Sequence, residues 1–214
     1  MKHAKPLPTY LSKRFAGWKA TQYEENKAWY ARLADEGQRP RAMIISCCDS
    51  RVHVTAIFGA ETGEFFIHRN IANLVPPYQP DDDHHGTSAA IEYAVKFLHV
   101  SNMLIVGHSD CGGVAGCLSM CEGNGKELEE NSEFIGPWLE ILKPGFDRIP
   151  ADAKDKRTAL EKQGVIISLE NLMTFPFVKE AVEDGTLALH GLWNDIRDGG
   201  LEYYDAGADA FKPV

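Results

Sequence analysis

No stretch of the 214-residue chain approaches the ~18 consecutive apolar residues of a membrane span, so the sequence reads as that of a soluble protein. Basic residues are in deficit, with 22 Lys+Arg against 31 Asp+Glu and a formal net charge of −9. Gripping a phosphate backbone takes a basic face, which argues against a nucleic-acid partner. Cysteine is scarce and odd in number, five in all, which does not suit a disulfide framework. The thiols read as reduced, with some of them available to a metal, and this points to a cytoplasmic protein. The N-terminal segment lacks the unbroken apolar core of a secretory signal. Five Lys/Arg precede the first acid, Glu24, but serines are few, so a surface helix with a basic end is expected there rather than a transit peptide. Repeats, low-complexity tracts and Gly/Ser linkers are also missing. The remainder, 44% hydrophobic and 25% charged, is ordinary for a globular chain. We expect a helical arm over residues 1–36 and a single domain over 37–214.

What the chain does contain is strand-forming runs separated by helical patterns. Ala42–Ser46, Glu64–His68, Met103–Gly107 and Leu187–Trp193 are nearly continuous in apolar residues, as strands buried on both faces are. Between the second and third, Thr87 or Ser88 can cap a helix striped by Ile91, Val95 and Leu98. Before the fourth, Val165, Leu169 and Leu172 repeat the helical spacing, and Pro176 marks an end. Leu201–Asp205 suits an edge strand, and Leu118–Lys156 suits surface loops and short helices. The expected class is α/β: a mainly parallel β-sheet flanked by helices, with an antiparallel edge strand and an N-terminal helical arm.

Two chemically loaded segments sit where strands end. Ser46-Cys47-Cys48-Asp49-Ser50-Arg51 follows the first run, and Gly107-His108-Ser109-Asp110-Cys111-Gly112-Gly113 closes the third. Open α/β sheets gather functional groups outside the carboxyl ends of their strands. Two Cys and one His suit zinc, and three protein ligands leave the open tetrahedral position of a catalytic site. Cys47 and Cys48 point in opposite directions in extended backbone, so only one of them ligates. Cys47, Asp49 and Arg51 share one face, which reads as ligand, gatekeeping carboxylate and counter-ion. Alone, that triplet would equally be a buried thiol beside a surface salt bridge. The His-x-x-Cys pair at a second strand end decides for a metal.

Together with His68-Arg69-Asn70-Ile71-Ala72-Asn73, these segments resemble the signatures of the β-class carbonic anhydrases in order and separation, over a span from about Tyr10 to the C-terminal strand. The resemblance implies zinc ligands Cys47, His108 and Cys111 and a catalytic dyad Asp49–Arg51. It implies a Zn2+ enzyme for reversible hydration of carbon dioxide to bicarbonate and a proton, by attack of zinc-bound hydroxide. In the bicarbonate-regulated subtype a Trp lies three positions before the first zinc Cys, where this chain has Ile44. That subtype's late-strand Tyr is replaced by Asn194, although Arg69 remains. The plant-like subtype fits better, with Gln38 nine residues before Cys47, an aromatic wall of Phe66 and Tyr93, Ile71 as aliphatic contact, and Gly112 as the small residue after the second Cys. In such enzymes Gln38, Phe66 and Tyr93 reach the site from the neighbouring protomer, which implies a homodimer or tetramer with shared active sites.

Other reactive groups are read more plainly. Cys48 is expected to be buried opposite the metal, and Cys117 and Cys121 to be core thiols. Trp138 and Trp193 are expected to be packing residues, with Arg69 and Asn70 bracing the site loop. His84 and His85 follow Asp81–Asp83 as an exposed polar loop, proton transfer being their alternative use. Two rival functions remain: hydrolysis of carbonyl sulfide or carbon disulfide on the same metal, and a non-catalytic structural-zinc module. The second has no use for Asp49, Arg51 and Gln38.

Overall fold

The computed structural model describes residues 3–80 and 85–214; Asp81–Asp83 and His84 lie outside the described residues. The chain forms two compact units, Met1–Gln38 and Arg39–Val214. In the first, helix α1 (Thr9–Trp18) runs through a π-helical turn, Lys19–Tyr23, and is followed by α2 (Lys27–Glu36). Neither helix buries a residue. Ring contacts tie the two together: Trp18 lies 5.5 Å from Tyr23 and 5.9 Å from Tyr30, and the two tyrosines stack at 5.3 Å.

The second unit is built on strands β1 (Ala42–Cys47), β2 (Phe65–Asn70), β3 (Asn102–His108), β4 (Ala188–Asn194), β5 (Leu201–Asp205) and β6 (Ala210–Pro213). Among the described residues they make one six-stranded sheet in the order β2-β1-β3-β4-β5-β6. The first four strands are parallel, and β5 and β6 are antiparallel to their neighbours. The antiparallel edge is therefore a hairpin, with β6 rather than β5 outermost.

Helices α3 (Val54–Ile57), α4 (Gly86–Glu92), α5 (Gly112–Cys121), α6 (Lys126–Asn131), α7 (Ile135–Leu139), α8 (Lys143–Phe146), α9 (Lys156–Leu172) and α10 (Pro176–Glu183) fill the connections. A π-helical turn, Tyr93–Phe97, extends α4. Among the described residues no helix is long and apolar enough to cross a membrane.

Strand alternation sorts the core. Met43 and Ile45 face one cluster with Ile91, Ile105, Val165 and Leu172, while Ile44 faces another with Val52, Val106 and Leu192. Each such fully buried side chain contributes about 1.5–3 kcal/mol. The helix α9 packs across β3 and β4 at close range. A Cβ on Gly107 would lie 2.7 Å from Val165 Cγ2, and one on Gly191 would lie 2.8 Å from Val165 Cγ1.

Several local expectations need correction. The β2 run is not buried on both faces, and Ile67 is 38% exposed, because β2 ends the sheet. Neither Thr87 nor Ser88 caps α4, which begins at Gly86 with His85 in the cap position. The Thr87 hydroxyl instead meets His68 Nε2 at 3.0 Å. Pro176 does not end α9 but opens α10, where its missing N–H costs nothing. The segment Leu118–Lys156 is not merely superficial: Leu139 and Leu142 close a third cluster with Cys47, Cys111 and Leu160.

Candidate metal centre

Strands β1 and β3 are neighbours in parallel register, with Ser46 opposite Val106, so their carboxyl ends open side by side. Cys47 is the last residue of β1 and His108 the last of β3. A short turn follows in which Asp110 adopts φ 58, a left-handed conformation that costs an ordinary residue roughly 1–2 kcal/mol and that Asp tolerates better than most. The turn returns the chain so that Cys111 caps the start of α5. As a result a ring nitrogen of His108 and the sulfurs of Cys47 and Cys111 lie within 4.8 Å of one another, all three residues buried.

These donors fit zinc. Two Zn–S bonds of ~2.3 Å at a tetrahedral angle hold the sulfurs about 3.8 Å apart. Cys47 Sγ and Cys111 Sγ are 3.9 Å apart. His108 Nδ1 lies 2.8 Å from the Ser109 carbonyl, which can only accept, so the proton sits on Nδ1. That leaves Nε2 with a bare lone pair, buried and without a hydrogen-bond partner. Without a metal the thiols compete for one charge. A hydrogen bond from Cys111 holds Cys47 well below the usual thiol range, and the same contact drives Cys111 up. A dication removes that conflict.

Beside the cluster, Asp49 and Arg51 form a fork-to-fork pair. Arg51 Nε donates to Asp49 Oδ1 at 2.9 Å and Nη2 to Oδ2 at 2.7 Å, and the Arg51 amide adds a bond to Oδ1 at 3.0 Å. The Arg51 hydrogen bonds hold the Asp49 carboxyl well below the usual carboxylate range. The Asp49 amide points back at Cys47 Sγ, 3.4 Å away. Arg69 braces the loop by donating to the carbonyls of Cys47, Asp49 and Val52 at 2.8, 2.7 and 3.0 Å. Asn70 does the same one step on, bonding Leu74 through both its amide groups.

The remaining residues singled out from the sequence divide by place. Ile71 packs on the metal loop, its Cγ2 2.7 Å from where a Cβ on Gly113 would stand, and a Cβ on Gly112 would meet nothing within 4 Å. Phe66 and Tyr93 lie 5.8 Å apart, away from the cluster of their own chain. Phe66 pairs with Met43 whereas Cys47 pairs with Asn70, four residues or ~13 Å along the strands. Gln38 is the last residue of the first unit. Cys48 is exposed, not buried, because β1 ends at Cys47 and the next side chain turns outward. Cys117 and Cys121 stand 4.0 Å apart on α5, and burial pushes the Cys117 thiol up to about 12.

Sequence reasoning missed a layer of charge behind Cys111. Glu161, 2% exposed, accepts from the Cys111 amide at 3.1 Å and from Trp193 Nε1 at 3.2 Å. Burial pushes its carboxyl up. Arg157 lies 3.5 Å from the same carboxylate. Trp193 is thus a donor as well as a packing residue, and so is Trp138, whose Nε1 reaches the Ile71 carbonyl at 2.8 Å. A signal for Glu161 was present: it falls four residues before Val165, on the stripe of α9 that faces the core.

Comparison with known proteins agrees with this geometry. A profile of the carbonic anhydrase family matches residues 42–201, which enclose the whole cluster. β carbonic anhydrase 3 of Arabidopsis thaliana is 38% identical over 196 residues, 89% of this chain and 74% of the relative. One of the tetrameric β-carbonic anhydrases of Sordaria macrospora superposes with a TM-score of 0.74 at 32% identity, over 96% of this chain and 95% of that one. The β-carbonic anhydrase CafA of Aspergillus fumigatus gives 0.76 at 31% identity, over 92% and 90%. With its strand order, its buried Cys–His–Cys donors and its kinship all in accord, the chain belongs to the carbonic anhydrase family, in the β class.

Proposed function

We propose that the enzyme hydrates carbon dioxide reversibly with Cys47, His108 and Cys111 as its zinc ligands and Asp49 and Arg51 as the catalytic dyad. The observation that carries this reading is the orphaned, buried Nε2 of His108 grouped with two thiols at tetrahedral spacing. Zinc in such a site acidifies water, so that a nucleophile is available near pH 7. The protein's part is to hold that nucleophile in line with its substrate. Arg51 fills both acceptor positions of Asp49 Oδ1 and one of Oδ2, leaving one lone pair on Oδ2 open. With its pKa depressed, Asp49 stays ionised across the neutral range, and Oδ2 would accept a hydrogen bond from the attacking group and orient its lone pair without removing its proton. Swinging Asp49 onto the metal would cost the whole fork with Arg51, so the site stays open at neutral pH. Ile71 supplies apolar wall, and Gly112 leaves space beside the donors.

Gln38, Phe66 and Tyr93 serve the site of a partner subunit. Phe66 lies four residues, ~13 Å along the strands, from the level of Cys47 in its own chain, and Tyr93, whose ring lies 5.8 Å from that of Phe66, is 44% exposed. The assembly is a homodimer or tetramer, as the tetrameric Sordaria macrospora relatives would suggest. The plant-like subtype is supported by Ile44, wholly buried in the core, and by Arg69, whose Nε and Nη2 are engaged by backbone carbonyls. We read residues 1–36 as the helical arm and 37–214 as the catalytic domain, a boundary two residues before the division between the two compact units. The five free thiols suit a cytoplasmic setting.

Stopped-flow carbon dioxide hydration with metal analysis, on wild type and Asp49→Ala, tests this reading. One zinc per chain and a loss of ~100-fold or more in the variant are expected. Zinc-free active protein, or full activity without Asp49, would overturn it.

A further inference from the structure

Glu161 is the one acidic side chain among the described residues that is buried, and it sits on the core-facing stripe of α9. An apolar residue there would pack without having to lose its hydration. The carboxylate does what a hydrocarbon cannot: Oε1 accepts the Cys111 N–H and Oε2 the Trp193 indole. One turn earlier on the same helix, Arg157 Nη2 donates to the Cys111 carbonyl at 3.3 Å, and Nη1 lies 3.4 Å from Asp110 Oδ1. The peptide groups on both sides of Cys111 are therefore gripped from α9. That helix is fixed by Leu160, Val165 and Leu172, all wholly buried. Asp110 carries the grip onward. Its carboxylate is shared with Arg197 at 3.3 Å, and its carbonyl accepts Arg51 Nη2 at 2.9 Å, from the same nitrogen that holds Asp49.

We propose that Arg157 and Glu161 are positioning residues, a clamp that holds Cys111 in ligand geometry and, through Asp110, keeps Arg51 aligned on Asp49. The proposal rests on the assignment of Cys111 as a zinc ligand. Its physical content is preorganisation: the left-handed turn at Asp110 does not relax when the metal leaves, so the third donor stays in place for rebinding. Groups that orient a metal ligand typically change affinity by about 10- to 100-fold when removed.

The test compares wild type, Glu161→Ala, Glu161→Gln and Trp193→Phe as zinc-loaded enzyme. Two readouts are taken: the rate of zinc transfer to an excess of chromophoric chelator, and the visible spectrum of the cobalt(II)-substituted protein. Glu161→Ala should release zinc about 10- to 100-fold faster and shift the thiolate-to-cobalt bands. Glu161→Gln, whose amide oxygen still accepts from Cys111 but no longer pairs with Arg157, should fall between. Trp193→Phe removes the indole donor to Glu161 Oε2 but leaves the bond from Cys111 to Oε1 in place, and should move zinc release and the cobalt bands less than Glu161→Ala does. If Glu161→Ala does not fold, Glu161→Gln carries the comparison. Wild-type release rates and bands in the Glu161 variants would overturn the clamp. A wild type without zinc, or whose cobalt form lacks thiolate bands, would instead overturn the ligand assignment beneath it.

Discussion

Replacing Gly107 by alanine would put a methyl group 2.7 Å from Val165 Cγ2, the residue before a proposed metal ligand thus meeting the helix that carries Glu161. Carbon atoms pack at about 3.5–4.0 Å, so roughly 1 Å must be found. Val165 is β-branched on a helix and has one strongly preferred rotamer, which leaves the backbone of α9 or β3 to move. The expected cost lies in the upper part of the 1–3 kcal/mol range for overpacking. Val165→Ala alone removes two wholly buried methyl groups and leaves a cavity, for about 2–3 kcal/mol. In the double variant the new methyl occupies the space that Cγ2 vacated. Its destabilisation should match that of either single change and fall ~2 kcal/mol short of their sum. Urea unfolding at one fixed protomer concentration measures all four corners of this cycle. Additive effects within ~0.5 kcal/mol would refute the close packing of α9 on β3.

Two further outcomes are expected. Asp155 caps α9 by accepting from the Thr158 amide at 3.0 Å, and that bond holds its carboxyl below the ordinary range. Asp155→Ala should cost ~1 kcal/mol at neutral pH. Because the folded pKa is depressed, the difference from wild type should be complete above the ordinary value near ~4 and shrink as pH falls through the folded value, in melting curves taken from pH 7 downward. Phe66→Ala and Asp49→Ala should each be inactive alone, yet a refolded mixture should recover part of the hydration activity, since a mixed dimer holds one intact shared site. A mixture no more active than its parts would place both residues in the same subunit's site.

The strands were legible because burial on both faces leaves nearly unbroken apolar runs, as in β1 and β3. The exception is informative: Ile67 looked interior, since neighbours along the chain do not tell which strand ends the sheet. The strand β6, with Pro213 and only four residues, carries no such run and forms because β5 templates it. That thiols and an imidazole at two strand ends suit a metal was readable from chemistry and spacing, while the set Cys47, His108 and Cys111 came from the family resemblance. The groups that hold them were harder to see. Arg157 and Glu161 resemble any surface ion pair at i and i+4 until α9 is set against the sheet. Cys48 was misjudged because strand alternation was carried one residue past the strand's end.

The most direct test of the metal centre is the zinc-edge X-ray absorption spectrum of the active enzyme. Two sulfurs at ~2.3 Å and one imidazole nitrogen at ~2.0 Å are predicted, the set that Cys47, Cys111 and His108 supply. A shell of four sulfurs, or of none, would contradict it.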